Sequence, residues 1–228
     1  MDTAILLNEI APFNLLPDSV KSKLASSISI RSFAAKELVF LEAEEGSYGY
    51  CVVDGQIAMV KTSPNGKELI VELVPPGELF GVVAFLQDRP YPLTARALCD
   101  TSVIAIPRRA VLPLLAEYPD LMSGLMRLIS NRMQIAQNLA RALSHDNVET
   151  RIATLLMALI PKVGWVSSNE RLLISLSRQD LADMAGTTIE SASRVIKTFE
   201  RDGLLDASKV GELSILMLTG LQKLATEG

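Results

Sequence analysis

The sequence predicts an α+β protein in which a small antiparallel barrel or sandwich, one long helix and a C-terminal helix-turn-helix with a two-stranded wing follow one another. Three observations support this fold class: short apolar runs separated by turn residues, a sustained seven-residue apolar repeat, and two short helices joined at a glycine. We expect domains at residues 1–118, 119–145 and 146–228, with the middle segment containing the long helix and a hinge.

The N-terminal part alternates short apolar runs with turn residues, as antiparallel strands do. Asp54-Gly55 and Asn65-Gly66 favour hairpin turns, because these pairs adopt positive φ angles at little cost. Regular strands at this spacing predict a small antiparallel barrel or sandwich, preceded by a helix over Pro17–Ser26. The strand-like runs are Glu37–Leu41, Tyr48–Val53, Ile57–Lys61, Glu68–Val74, Thr94–Leu98 and Ser102–Ile106.

A single helix is predicted over Pro119–Ser144, and it carries two apolar seams. Two seams need two partners, so we expect one to pack on the chain's own barrel and the other on the same helix of a second copy. The alternative is a helix buried within one chain. The seam assigned to dimerisation follows the seven-residue repeat and comprises Met122, Met126, Ile129, Met133, Ala136, Ala140 and Leu143. The seam beside it comprises Leu121, Leu125, Leu128, Ile135, Leu139 and Ala142.

The C-terminal part contains two short helices with a glycine between them. Ser177 followed by Asp180 is a capping signature for the first helix, and Gly186 stands where a helix end favours positive φ. The second helix begins near Thr188 and extends to about Asp202. Such a pair is the helix-turn-helix that places its second helix in the DNA major groove. The segments that follow predict a two-stranded wing.

The exposed side chains of this unit have the chemistry that duplex DNA requires. Arg194 can donate two hydrogen bonds to guanine, Glu190 can accept one from cytosine, and Ser193 suits a base edge or a phosphate. The alternatives are that Glu190 only caps its helix and that the basic residues form an ordinary solvated surface. The predicted DNA-binding residues are Arg178, Thr188, Ile189, Glu190, Ser193, Arg194 and Lys197.

Composition excludes several classes of protein. The 228 residues include no apolar run long enough for a membrane-spanning helix, and Met1-Asp2-Thr3 lacks the basic opening of a secretory signal. Two cysteines do not make a disulfide scaffold in a chain of this length. We therefore expect a soluble, cytoplasmic protein without membrane contact. A net charge of −4 does not indicate nucleic-acid binding, but DNA contact requires only a local basic surface.

The order of several short motifs resembles the CRP/FNR family of bacterial transcription regulators over almost the whole chain. The motifs are Gly55–Val60, Gly66–Leu69, Pro76–Gly81, Asn131–Gln134, Leu176–Ala182 and Glu200–Leu204. The resemblance implies a cyclic-nucleotide-binding-like jelly roll as the sensor domain, a dimerising helix and a winged helix-turn-helix. It also implies double-stranded DNA, a second copy and RNA polymerase as partners.

Within this family the recognition helix resembles the FNR-like branch. Glu190 to Arg194 matches that branch's E-x-x-S-R pattern, whereas the cAMP-receptor branch has Arg where Ile189 stands and Gly where Ser193 stands. The resemblance implies a TTGAT-like inverted repeat, with Glu190 and Arg194 contacting the central G·C pair of each half-site.

The sensor domain departs from the family's known ligand sites. Val82 replaces the glutamate of the cyclic-nucleotide cassette, and Tyr91-Pro92-Leu93 replaces its arginine-serine pair, so we expect no cAMP binding. No cysteine cluster lies near Met1, so we expect no iron–sulfur cluster. The sequence leaves open a haem held by Met or by a backbone terminus, and also redox sensing by Cys51 and Cys99. We expect no bound metal.

A mostly apolar pocket is expected beside the long helix, with Tyr91 and Arg96 as its polar groups. The sequence leaves open whether Arg96 is structural, and whether the effector is a small acid or is absent altogether. The residues assigned to this pocket are Leu73, Phe80, Val82, Val83, Tyr91, Arg96, Met133 and Gln137.

Three other functions compete with that of an effector-controlled regulator. A cupin-type enzyme needs clustered metal ligands, and one histidine in the chain argues against it, so we expect no enzymatic activity. A nucleotide-binding regulatory subunit lacks its phosphate contacts here. A ligand-binding β-roll without DNA function leaves the helix-turn-helix unexplained.

Overall fold

The computed structural model describes residues 3–145, 147–166, 172–209 and 211–226 of the chain. Side chains are described over these ranges except at residues 3–5, 135–136, 138–145, 161–163, 165–166 and 175. The chain divides into two compact units, residues 1–61 with 71–136 and residues 62–70 with 137–228.

The N-terminal part forms two four-stranded sheets, ordered β1-β8-β3-β6 and β2-β7-β4-β5. Strands β3 and β8 pair antiparallel from Tyr48 opposite Pro107 to Asp54 opposite Ser102. This pairing agrees with the predicted β-roll. Strand β1, which lies beside β8 in the same sheet, was not predicted from the sequence. The strands are β1 (Ser29–Phe33), β2 (Leu38–Phe40), β3 (Tyr48–Asp54), β4 (Ile57–Thr62), β5 (Glu68–Val74), β6 (Leu79–Phe80), β7 (Thr94–Ala97) and β8 (Thr101–Pro107).

Gly55 makes the predicted turn between β3 and β4. Its φ angle is +86°, a conformation that L side chains rarely adopt, and an added Cβ would lie 2.7 Å from the Cα of Thr101. The predicted Asp54-Gly55 turn is therefore fixed both by backbone conformation and by the close approach of the start of β8.

Five helices accompany the sheets. The helix predicted over Pro17–Ser26 is present as α2, and the long helix predicted over Pro119–Ser144 is present as α5. Helices α1, α3 and α4 were not predicted. Their bounds are α1 (Thr3–Glu9), α2 (Asp18–Ala25), α3 (Val82–Gln87), α4 (Arg108–Glu117) and α5 (Pro119–His145).

The two predicted seams of α5 have different environments. Leu121 and Leu125 are fully buried in a core cluster with Leu7, Ile10 and Phe13 from the N-terminal segment. On the other seam the exposed fraction is 53% for Met126 and 61% for Met133. One seam therefore packs on the chain's own β-roll domain as expected, and the other presents large apolar side chains to solvent.

The second unit contains a β-hairpin and the predicted wing. Its sheet has the order β11-β12-β10-β9, with β9 antiparallel to β10 and β11 antiparallel to β12. Helix α6 is capped by Asn147, whose Oδ1 accepts a hydrogen bond from the backbone N of Thr150 at 2.9 Å. The elements are α6 (Val148–Val163), β9 (Gly164–Val166), β10 (Leu172–Ser175), α7 (Arg178–Met184), α8 (Ile189–Arg201), β11 (Leu205–Asp206), β12 (Glu212–Ile215) and α9 (Leu218–Thr226).

The observed architecture confirms the predicted α+β class, with a β-roll followed by a long helix and a winged helix-turn-helix. Within the described ranges, every helix is too short or too polar to cross a lipid bilayer.

Candidate nucleic-acid interface

Helix α7 is the first helix of the predicted pair, and a reciprocal cap fixes its start. The backbone N of Asp180 donates to Ser177 Oγ at 3.1 Å, while the backbone N of Ser177 donates to Asp180 Oδ2 at 3.2 Å. Leu181 and Met184 turn inward and are buried. The cap and the apolar face hold α7 in place, and Arg178 at its first turn remains exposed.

The turn between α7 and α8 has the conformation that the sequence predicts. Gly186 has a φ of 59°, in the left-handed region that glycine adopts without steric cost. Thr188 then caps α8, since its Oγ1 accepts a hydrogen bond from the backbone N of Ser191 at 3.3 Å. The turn and the cap together fix where α8 begins and which side chains lie in its first turn.

Helix α8 has a buried face and an exposed face. Ala192, Ile196 and Phe199 are fully buried and anchor the helix in the second unit. The other face presents acidic, basic and hydroxyl groups. Ile189 is 40% exposed, Ser193 is half-buried, and Glu190, Arg194 and Lys197 are exposed. This face is polar, accessible and formed by the second helix of the pair, as a DNA-reading surface must be.

A chain of hydroxyl groups leads to Arg194. Nη2 of Arg194 donates to Ser191 Oγ at 3.0 Å, and Ser191 Oγ lies 3.3 Å from Thr188 Oγ1. The helix cap and the guanidinium are therefore connected through one serine. Our sequence interpretation did not include Ser191. Its position three residues before Arg194 is the signal that could have identified it, because residues at this spacing are neighbours on a helix surface.

Glu190 also takes part in the cap of α8. Hydrogen bonds from its own backbone N–H and from the Thr188 side chain, together with the nearby charge of Arg194, lower the pKa of its carboxyl group. The carboxylate is fully exposed and ionised at neutral pH, so it can accept from a base edge while it accepts from the cap. Capping and base recognition are thus compatible at Glu190.

The basic residues of the helix-turn-helix and the wing differ in their surroundings. Nε of Arg201 donates to Asp202 Oδ1 at 3.0 Å, so this guanidinium already has a surface carboxylate partner. In the wing, Lys209 Nζ donates to Glu212 Oε2 at 2.8 Å. Arg178 in the first turn of α7 and Lys197 in α8 are both exposed. They remain the predicted phosphate contacts.

The interior of the β-roll is filled with aromatic side chains. The rings of Phe40 and Tyr91 stack with centroids 3.7 Å apart, and those of Tyr50 and Phe80 stack at 5.2 Å. The Tyr91 hydroxyl donates to the backbone O of Tyr48 at 2.6 Å and accepts from its backbone N at 3.2 Å. Tyr91 was predicted as a polar group facing an effector, but its hydroxyl is used within the protein.

The structure places the described residues of the predicted effector pocket in different surroundings. Phe80 and Tyr91 belong to one core cluster and Val82 to the other. Leu73 is fully buried, whereas Met133 is exposed. Val83 and Arg96 are half-buried, Arg96 within β7, and Gln137 is exposed and belongs to the second compact unit.

The predicted dimerisation residues are described for the first half of their seam. Met122, Met126 and Met133 are exposed, and Ile129 is half-buried. The remaining three, Ala136, Ala140 and Leu143, lie outside the residues whose side chains are described.

The two cysteines are free thiols in different surroundings. Cys51 is a buried free thiol in β3, and Cys99 is an exposed free thiol. Across the ranges that the structure describes, no group of three or more His, Cys, Asp or Glu side chains is arranged to hold a metal ion.

Two family models match successive parts of the chain. A cyclic nucleotide-binding domain matches residues 30–118, and a Crp-like helix-turn-helix domain matches residues 150–224. The first match covers the two sheets and α3 to α4, and the second covers nearly all of α6 to α9.

Curated relatives show the same relationship. The chain is 32% identical to the transcriptional activator protein FnrA of Stutzerimonas stutzeri over 83% of this chain and 77% of that protein. It is 30% identical to the transcriptional activator protein anr of Pseudomonas aeruginosa over 75% of this chain and 70% of that protein. Among solved structures, FixK2 from Bradyrhizobium japonicum superposes with a TM-score of 0.79 at 23% identity, covering 86% of this chain and 96% of that one.

Proposed function

Because the chain belongs to the CRP/FNR family of transcription regulators, we propose that it binds a TTGAT-like inverted repeat as a homodimer. At the level of the family, it is a DNA-binding transcription regulator with a helix-turn-helix, and it is not an enzyme. The proposal further specifies the preferred DNA sequence, the dimer and the control by an effector.

The exposed face of α8 is the observation that carries the proposal. It presents Glu190 and Arg194 one helical turn apart, and Ile189 lies at the edge of this face. The buried residues of α8 lie on the opposite side of the helix. An arginine suits the O6 and N7 atoms of guanine, and a carboxylate suits N4 of cytosine. One G·C pair can therefore be recognised by these two side chains together.

The residues flanking this pair set the rest of the half-site. Ile189 has no donor for guanine, and its exposed apolar side chain suits a thymine methyl group. The Ser193 and Thr188 hydroxyls suit a base edge or a phosphate, while Arg178 and Lys197 suit phosphates. These chemistries favour T at the outer position, as in TTGAT.

A two-fold dimer explains why the site should be an inverted repeat. The apolar seam that begins at Met122 is exposed in the single chain, and pairing it with the same seam of a second copy would remove it from water. Two copies related by a two-fold axis present their recognition helices to half-sites about one helical turn apart.

Selection from a random duplex library tests the proposed sequence. Wild-type protein should select an inverted repeat of TTGAT-like half-sites, and Ile189→Arg should shift the outer position from T towards G. Selection of TGTGA-type half-sites by the wild type, or of sites without two-fold symmetry, would contradict the proposed recognition code.

The remaining parts of the proposal concern cofactors and partners. We propose that neither cAMP nor an iron–sulfur cluster takes part, and that a small effector of unknown identity controls DNA affinity. RNA polymerase is the expected protein partner, and the cytoplasm is the expected location. The aromatic filling around Tyr91 supports the absence of cAMP. Native mass spectrometry with an absorption spectrum of freshly purified protein would reveal a bound haem or effector.

A further inference from the structure

The wing of the second unit consists of β11, β12 and the turn between them, and it follows helix α8 directly. The chain reverses after α8, where the backbone N of Leu204 donates to the backbone O of Phe199 at 2.8 Å. Strand β11 comprises only two residues, Leu205 and Asp206, and both pair with β12. Because so short a strand makes few ladder hydrogen bonds, the position of the wing turn relative to α8 depends on other contacts.

The side chain of Glu200 in α8 supplies such a contact. Its Oε1 accepts a hydrogen bond from the backbone N of Ala207 at 3.0 Å. Ala207 is buried and comes directly after β11, where the wing turn begins. A hydrogen bond from a backbone N–H to an ionised carboxylate is stronger than one between neutral groups. The carboxylate therefore ties the start of the wing turn to the last turn of α8.

The wing turn presents a cation to solvent. The side chain of Lys209 is 73% exposed, and its Nζ lies 2.8 Å from Glu212 Oε2. An exposed ion pair of this kind contributes little free energy, so it can open when another anion approaches. A lysine in such a position suits a phosphate of the DNA backbone.

We propose that Glu200 is a positioning residue for DNA binding. By holding Ala207 it sets where Lys209 lies relative to α8, so that the wing reaches a phosphate while the first turn of α8 contacts bases. Glu190 and Glu200 are ten residues apart on α8, which is about 15 Å at 1.5 Å per residue. Glu200 therefore acts through the wing and not on the bases. The proposal rests on DNA binding by the helix-turn-helix, and it is independent of the TTGAT-like sequence.

Glu200→Gln and Glu200→Ala form a matched pair for the test, because both remove the negative charge and only glutamine keeps an acceptor oxygen. Titrations of a random duplex at several salt concentrations give the dissociation constant and the salt slope. Glu200→Gln should bind at least as tightly as wild type. Glu200→Ala should bind about threefold to tenfold more weakly, on the scale of one polar contact, and with a smaller salt slope. Loss of the charge alone would strengthen binding, so weaker binding reports the lost hydrogen bond.

Lys209→Ala shows whether Glu200 acts through the wing. This variant should itself reduce the salt slope, and adding Glu200→Ala to it should cause no further loss of affinity, because the two residues then serve one contact. Additive losses, or an unchanged slope in Lys209→Ala, would overturn the proposal. If Glu200→Ala fails to fold, Glu200→Asp keeps the charge, retracts the carboxylate by one methylene and should show the same weaker binding.

Unfolding in urea separates positioning from a purely structural role. If Glu200→Ala lowers the free energy of unfolding but binds the random duplex with the wild-type dissociation constant and slope, the hydrogen bond only stabilises the fold and the proposal is wrong. The preference for the G·C pair should be the same in Glu200→Ala and wild type. Selection of a different half-site by the wild type would contradict the proposed recognition code and leave the comparison of these variants intact.

Discussion

Arg194 and Ser191 are joined by a hydrogen bond along the exposed face of α8, in which Nη2 of the arginine donates to Oγ of the serine at 3.0 Å. The serine hydroxyl lies near Thr188 Oγ1 at the helix cap. The guanidinium is therefore oriented before DNA arrives, and less side-chain freedom has to be lost on binding.

Ser191→Ala should reduce the preference for the G·C pair in each half-site by about threefold to tenfold, the value of one ordinary hydrogen bond. Ser191→Thr keeps a hydroxyl and should keep the preference. Competition binding with matched and single-substituted duplexes measures the effect. An equal loss on all sequences with a smaller salt slope would show that Ser191 contacts a phosphate and does not orient Arg194.

Arg194→Ala and Lys197→Ala should have different effects on DNA binding. Loss of Arg194 should abolish the preference at one G·C pair, at roughly 1–3 kcal/mol per half-site. Loss of Lys197 should weaken binding to all sequences about equally, and it should reduce the salt slope by about one for each phosphate that is no longer neutralised. Titrations of specific and random duplexes at several salt concentrations distinguish the two. The assignment fails if Lys197→Ala changes the preferred base.

Calorimetric titration of the wild-type protein with cAMP should give no binding heat. Tyr91 stands where the family's phosphate-binding arginine-serine pair is expected, and its ring stacks on Phe40 with the hydroxyl bonded to the Tyr48 backbone. The two stacked rings themselves offer the cyclic phosphate neither a cation nor a free donor. A cAMP-binding member of the family serves as the positive control. Micromolar binding would show that the aromatic cluster opens in solution.

Gly124→Ala should destabilise the protein although alanine is the better helix former. A Cβ at this position would collide with the Pro12 ring, whose Cγ lies 2.9 Å from it. The helix-propensity gain is about 1 kcal/mol, whereas overpacking costs about 1–3 kcal/mol. We expect a lower free energy of unfolding in urea. Ser123→Ala, at the exposed neighbouring position, should not lower it. A stabilised Gly124→Ala would show that the Pro12 segment moves aside easily.

Iodoacetamide should modify Cys99 but not Cys51 in the native protein. Burial, with a smaller effect of Glu78, raises the pKa of the Cys51 thiol from 9.0 to about 12. Because unfolded Cys51 ionises first, its contribution to stability is complete below pH 9 and decreases between about pH 9 and 12. Mass spectrometry should find one modified thiol in native protein and two after denaturation. Rapid labelling of Cys51 at pH 8 would contradict its burial.

The elements that the sequence predicted are those with a strong local signal. Helix α5 extends from Pro119 to His145, close to its predicted bounds, because a seven-residue repeat persists over its length. The cap at Ser177 was predicted because capping depends on two or three neighbouring residues. Local sequence patterns were therefore sufficient to predict both domains and the polar face of α8.

The missed features depend on contacts between distant parts of the chain. Strand β1 is mostly exposed. Its register is set by pairing with β8, from which it is separated in the sequence by more than half of the N-terminal domain. The run containing α3 is apolar throughout, so its periodicity does not distinguish a helix from a strand. The aromatic stack joins Phe40 to Tyr91, residues whose contact no local pattern indicates. The position of Tyr91 inside an aromatic cluster therefore could not be predicted from the sequence.

If α5 pairs with a second copy as proposed, substitutions on its two faces have separate consequences for folding and for pairing. Substitutions at Leu121 or Leu125 alter the core of the same chain, whereas substitutions at Met122 or Met126 alter an accessible surface. If a genome encodes several such regulators, each can change its seam without changing its own fold. Divergence confined to that face is then sufficient to keep duplicated copies from forming mixed dimers.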